Sequence, residues 1–62
     1  MATAMEFGEK ELSEAKRLKS YFPYRIVYLA RAEDGKFECG AVTSMRVPNK
    51  LARAGYVVSV LR

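Results

Sequence analysis

Apolar residues at Leu12, Ala15, Leu18 and Phe22 recur three or four positions apart, the spacing that lines one face of a helix. This predicts an amphipathic helix from about Glu9 to Tyr21. Its acids come mostly first, with Lys16, Arg17 and Lys19 later, an order that suits the helix dipole. Pro23 ends it. Beyond Pro23 the period changes. Tyr24 to Ala32 and Lys36 to Ser44 are rich in β-branched and aromatic residues and flank Asp34-Gly35, which together predict a β-hairpin.

The turn sets the register. A two-residue turn pairs Glu33 with Lys36, places Cys39 opposite Ala30 and Gly40 opposite Leu29, and gathers Ile26, Tyr28, Ala30, Phe37, Cys39 and Ala41 on one almost wholly apolar face. The other face then holds Arg25, Val27, Leu29 and Arg31 with Lys36, Glu38 and Val42, including an Arg31–Glu38 cross-strand pair. A three-residue turn with Gly35 at positive φ shifts the register by one and mixes Lys36 and Glu38 with Ile26 and Ala30. Segregation of polarity favours the first arrangement, since a one-residue slip moves the whole hydrophobic set.

After Ser44, Val47, Leu51 and Ala54 fall on one side of a second, short helix, and Arg46, Lys50 and Arg53 on another. Pro48 is compatible with its first turn, and Gly55 stands where a helix-ending glycine belongs. Tyr56 to Leu61 reads as a third strand. The order α-β-β-α-β predicts a small two-layer α+β domain, with the first helix on one face of a three-stranded sheet. A crossover through the short helix sets the third strand beside the first and parallel to the second, in the order 2-1-3. That link is near the shortest that can cross over, and the alternative is antiparallel pairing with a neighbour. The predicted core is Leu12, Leu18, Phe22, Ile26, Tyr28, Phe37, Cys39, Leu51 and Val58.

Composition narrows the chemistry. The chain has 62 residues, half of them apolar, with 29% charged and 11% aromatic, which describes one globular domain over 1–62 with no linker or repeat. Residues 1–5 are weakly patterned and expected to fray. With no histidine and a single cysteine, zinc sites built on Cys/His sets, Ser-His-Asp or Cys-His catalysis and an internal disulfide are excluded. The lone Cys39 reads as a small core residue and favours a reducing, cytoplasmic setting. No apolar run approaches a membrane span. Ser13 and Lys16 share the Ser-x-x-Lys spacing of some acyl enzymes, but they lie on a surface helix without the accompanying signatures. Glu33, Asp34 and Glu38 read as solvated turn residues. No catalytic constellation or cofactor is therefore expected.

Two surfaces remain as binding candidates. One is the outer sheet face of Arg25, Val27, Leu29, Arg31 and Val42, because one helix covers only one side of a sheet and the third strand is apolar on both. The other is a basic stripe of Arg46, Lys50, Arg53 and Arg62. The net charge is +4, and from Met45 onward no acid occurs. The bland reading of that stripe is a solvated helix face whose cations complement the dipole. Tyr21, Phe22, Tyr24 and Tyr28 read mainly as a lid on the core, with Tyr21 and Tyr24 the more exposed. The chain begins with methionine and reads as a complete small gene product. These features suggest a non-enzymatic, protein-binding accessory module, an inhibitor or adaptor of a larger host or cognate protein, open to homodimerisation. Small phage and mobile-element proteins offer an analogy of size alone. The rival reading is a weak nucleic-acid-binding protein using the basic stripe.

Overall fold

A computed structural model describes residues 7–61; the segment expected to fray and Arg62 lie outside the described residues. Helix α1 spans Glu9–Tyr21, as its apolar spacing requires. The Gly8 N–H donates to Glu11 Oε1 at 2.9 Å, which closes one half of a capping box. At the other end the Phe22 N–H donates to the Leu18 carbonyl at 2.9 Å, and Pro23 follows. Strands β1 (Ile26–Arg31), β2 (Phe37–Val42) and β3 (Val57–Leu61) and helix α2 (Arg46–Arg53) complete the α-β-β-α-β order. The result is the expected small α+β domain with α1 packed on the sheet.

The sheet order is β2-β1-β3, and β1 is antiparallel to both neighbours. Strands β2 and β3 therefore run parallel, and α2 carries the chain across β1 between them. Eight residues of helix advance about 12 Å, close to the length of a five-residue strand, so the short crossover suffices. Its exit is a Schellman motif. The Tyr56 N–H reaches the Leu51 carbonyl at 3.0 Å, the Gly55 N–H reaches that of Ala52 at 3.1 Å, and Gly55 adopts φ 99°, where a side chain would be strained.

The hairpin takes the three-residue turn, which corrects the favoured register. The Ala32 N–H donates to the Lys36 carbonyl at 2.8 Å and the Gly35 N–H to that of Ala32 at 2.9 Å, with Gly35 at φ 93°. Cys39 consequently faces Leu29, Gly40 faces Tyr28, Glu38 faces Ala30, and Arg31 faces Phe37. The expected Arg31–Glu38 pair is replaced by an ion pair between Arg31 and Glu11 of α1. Steric fit outweighs segregation of polarity here. A Cβ at Gly40 would lie 3.0 Å from the Tyr28 ring, so the glycine takes the ring that Ala41 would have met in the two-residue register. Glu38, on an edge strand, stays in water.

The register also decides which residues meet α1. Val27 and Leu29 are fully buried and form the core with Phe7 and Ala15, against which Leu12, Leu18, Phe37, Ala41 and Leu61 pack. Tyr28 and Ala30 point the other way and are buried as well. Their cover comes from α2, which packs on β3 and β1 and contributes the fully buried Pro48. Of the predicted core, Tyr28 is buried, while Leu12, Leu18, Ile26, Phe37, Cys39, Leu51 and Val58 are half-buried and Phe22 is exposed. Phe7, absent from that set, packs edge-on to Phe37 at 6.3 Å between ring centroids.

Candidate functional site

The expected outer strip does not exist as a surface. Val27 and Leu29 lie under α1, and Val42 is half-buried opposite Ile26 on the other face. Arg31 serves the fold, with its guanidinium paired to Glu11 and 5.3 Å from the centre of the Phe7 ring. Arg25 alone of that set is exposed. It precedes β1 and stacks its guanidinium 5.4 Å from the centre of the Phe22 ring, a cation–π contact.

The basic stripe forms as expected over the described residues. Arg46, Lys50 and Arg53 are exposed, line a shallow depression with Asn49, and lie on the side of α2 opposite buried Pro48, two or five residues away. Lys50 and Arg53 fall in the last turn, where cations suit the dipole. Arg46 is the first residue of the helix, where a cation is disfavoured. Dipole complementarity thus accounts for two of the three.

A third surface comes from the fold. At the junction of α1 and β1, Tyr24 is 99% exposed, Tyr21 70% and Phe22 40%, so three of the four aromatics read as a core lid stand in water. Lys19 Nζ donates to the Arg25 carbonyl at 2.9 Å, and the Arg25 N–H donates to that of Phe22 at 3.1 Å, which ties the junction together. Lys19, Pro23, Tyr24, Arg25, Ile26 and Leu61 line a shallow depression there.

Charge is sorted along the strand axis in the same way. The Arg31–Glu11 pair places the start of α1 at the hairpin end of β1. The acids Glu9, Glu11 and Glu14 in the first half of α1, and Glu33, Asp34 and Glu38 at the hairpin, therefore share one half of the molecule. The opposite half holds Lys16, Arg17, Lys19, Arg25 and Arg46 with no acid among the described residues, while Lys10, Arg31 and Lys36 offset part of the acid in the hairpin half. The sequence carries a usable signal for this pole, since Lys16 to Ala30 contains four basic residues, all of them at the pole, and no acid.

Cys39 sits half-buried on the α1 face. Burial pushes its thiol above the ordinary value, and the Glu14 carboxylate adds to the shift, the opposite of what an activated thiol requires. Among the described residues no helix is long and apolar enough to cross a membrane. Comparison with protein families, curated proteins and solved structures finds no match.

Proposed function

We propose that the chain is a non-enzymatic protein-binding module, an inhibitor or adaptor that docks an acidic surface of a larger protein against its aromatic, cationic pole. The supporting observation is the exposure of Tyr21, Phe22 and Tyr24 beside Arg25 and Lys19, away from every described acid. Tyrosine and arginine carry binding energy in protein interfaces because they cover large areas at modest entropic cost. Opposite charge on the partner steers the encounter. The test is affinity capture from host lysate with the natural chain and with a Tyr24→Ala/Arg25→Glu variant. Both sites are exposed, so the thermal midpoint should barely move. A protein retained by the natural chain and lost by the variant supports the reading. Retention of the same proteins by both, or of none, overturns it.

A second reading, weak nucleic-acid binding, is favoured by one observation, the solvent-facing Arg46 at a helix start where the dipole opposes it. Three phosphate contacts predict a log–log salt slope near about −3. A fluorescence titration with duplex DNA and single-stranded RNA at two salt concentrations reads it. Binding that falls with that slope and is lost in Arg46→Glu/Lys50→Glu supports this reading, and absence of binding at low salt removes it.

A further inference from the structure

We propose that a second copy of this chain pairs antiparallel along the outer edge of β3. Strand β3 lies at the end of the β2-β1-β3 order, so alternate N–H and C=O groups along its outer side have no strand partner among the described residues. Such a row is a template for another strand unless something blocks it. Nothing in β3 does. Ala54 to Leu61 carries no charge and no proline, and Val57 is 39% exposed. The other edge, β2, holds the exposed Glu38 within the strand, a charge that would meet like charge or unfavourable surroundings in many pairings.

The occupant follows from self-complementarity. Pairing about Ser59 sets Val57 opposite Leu61 and Val58 opposite Val60 of the partner copy, so apolar residues meet on both faces without a charged pair. The two-fold axis stands perpendicular to the sheet. It reverses the strand direction and lays the acidic, hairpin half of one copy alongside the cationic half of the other. Opposite charges are thereby brought side by side, whereas a parallel arrangement would set like halves together. The same axis keeps both α2 helices on one face. Their Arg46, Lys50 and Arg53 stripes point away from the sheet, where solvent and salt screen their repulsion. The product is a continuous six-stranded sheet with α1 helices on one side and α2 helices on the other.

Sedimentation equilibrium of the whole chain over a wide concentration range tests this. The natural chain is expected to approach dimer mass at high concentration. Val57→Lys/Ser59→Lys is expected to stay monomeric while retaining the natural chain's helical circular dichroism and a cooperative thermal transition. If that variant unfolds, Cys39→Ala/Ser59→Cys decides, because Ser59 faces its own copy across the axis and a short bis-maleimide should then link two chains in high yield. A monomer mass throughout, a dimer that survives both lysines in a folded variant, or no cross-link at Ser59→Cys overturns the proposal. The lysine variant leaves Tyr24 and Arg25 intact, so loss of the dimer is separable from loss of a captured partner.

Discussion

Gly40→Ala should destabilise the domain, and the reason is the aromatic ring across the ladder. A Cβ at position 40 would lie 3.0 Å from Tyr28 Cε2, 3.1 Å from its hydroxyl oxygen and 3.2 Å from Cζ, whereas carbon atoms in contact prefer about 3.5–4.0 Å. The ring must retreat, and it is itself buried. Overpacking of this kind costs about 1–3 kcal/mol. Relief of the glycine's backbone entropy returns about 0.5–1 kcal/mol. Taking the two estimates together, the net loss is about 0–2.5 kcal/mol, centred near 1 kcal/mol, a sizeable share of a stability of order 5 kcal/mol for a chain of this length. The thermal midpoint should fall by several degrees, since about 1 kcal/mol moves it by roughly 4–8 °C in a small domain. Urea titration of four proteins in a fixed concentration of stabilising osmolyte isolates the contact: the natural chain, Gly40→Ala, Tyr28→Val and the double variant. In the Tyr28→Val background the ring is gone, so Gly40→Ala should stabilise by about 0.5–1 kcal/mol. A stabilising Gly40→Ala in the natural chain, or the same effect in both backgrounds, would refute the contact and with it the three-residue turn.

Leu29→Ala removes a fully buried side chain from the central strand and should cost about 2–5 kcal/mol, enough to abolish most of the cooperative urea transition at room temperature. Glu11→Ala breaks the pair with Arg31, but both side chains are partly exposed, so the urea midpoint should drop by the equivalent of no more than about 1 kcal/mol; Arg31→Ala should cost more, because it also removes the contact with Phe7. Burial, aided by Glu38 and then Cys39, raises the Tyr28 hydroxyl, as burial raises the Cys39 thiol. The folded state therefore disfavours both ionised forms, and the stability is fully present below the ordinary values of 9.0 and 10.0 and lost as pH rises through the folded values. The urea midpoint should decline above that onset, and iodoacetamide should label Cys39 more slowly at pH 8 than in the Leu29→Ala variant.

The elements were legible because each rests on local chemistry. Leu12, Ala15 and Leu18 place α1 on the sheet without reference to any other part of the chain, Pro23 marks its end, and Gly55 marks the end of α2. The hairpin itself was legible too, from Asp34-Gly35 between two β-rich segments. Its register was not, because polarity along β2 and the size match between Tyr28 and Gly40 point in opposite directions. Only the second requires knowing which residues face each other. That one-residue difference carried Val27 and Leu29 from an expected surface into the core. The covering of Tyr28 and Ala30 depended in turn on where α2 lands, which its own amphipathic pattern does not say.

The candidate surfaces divide along the same line. Arg46, Lys50 and Arg53 belong to one short helix, so their spacing alone put them on a common face. The aromatic pole draws Lys19 from the end of α1, Tyr24 and Arg25 from the junction and Arg46 from the far side of the hairpin, and only the antiparallel packing of α1 on β1 brings their halves of the elements together. The same packing collects Glu9 and Glu11 with Glu33 and Asp34, residues more than twenty positions apart. A net charge of +4 therefore understates the field at the pole, because the acids that reduce it lie in the opposite half of the molecule. Lys19 stands eight residues past Glu11 on α1, about 12 Å of helix rise and more than a Debye length of about 8 Å at physiological ionic strength. Glu14 is the exception, since it lies one turn from Arg17 and borders the same depression as that residue. The field around Tyr24 is therefore set mainly by Arg25 and Lys19, which line the same depression as Tyr24.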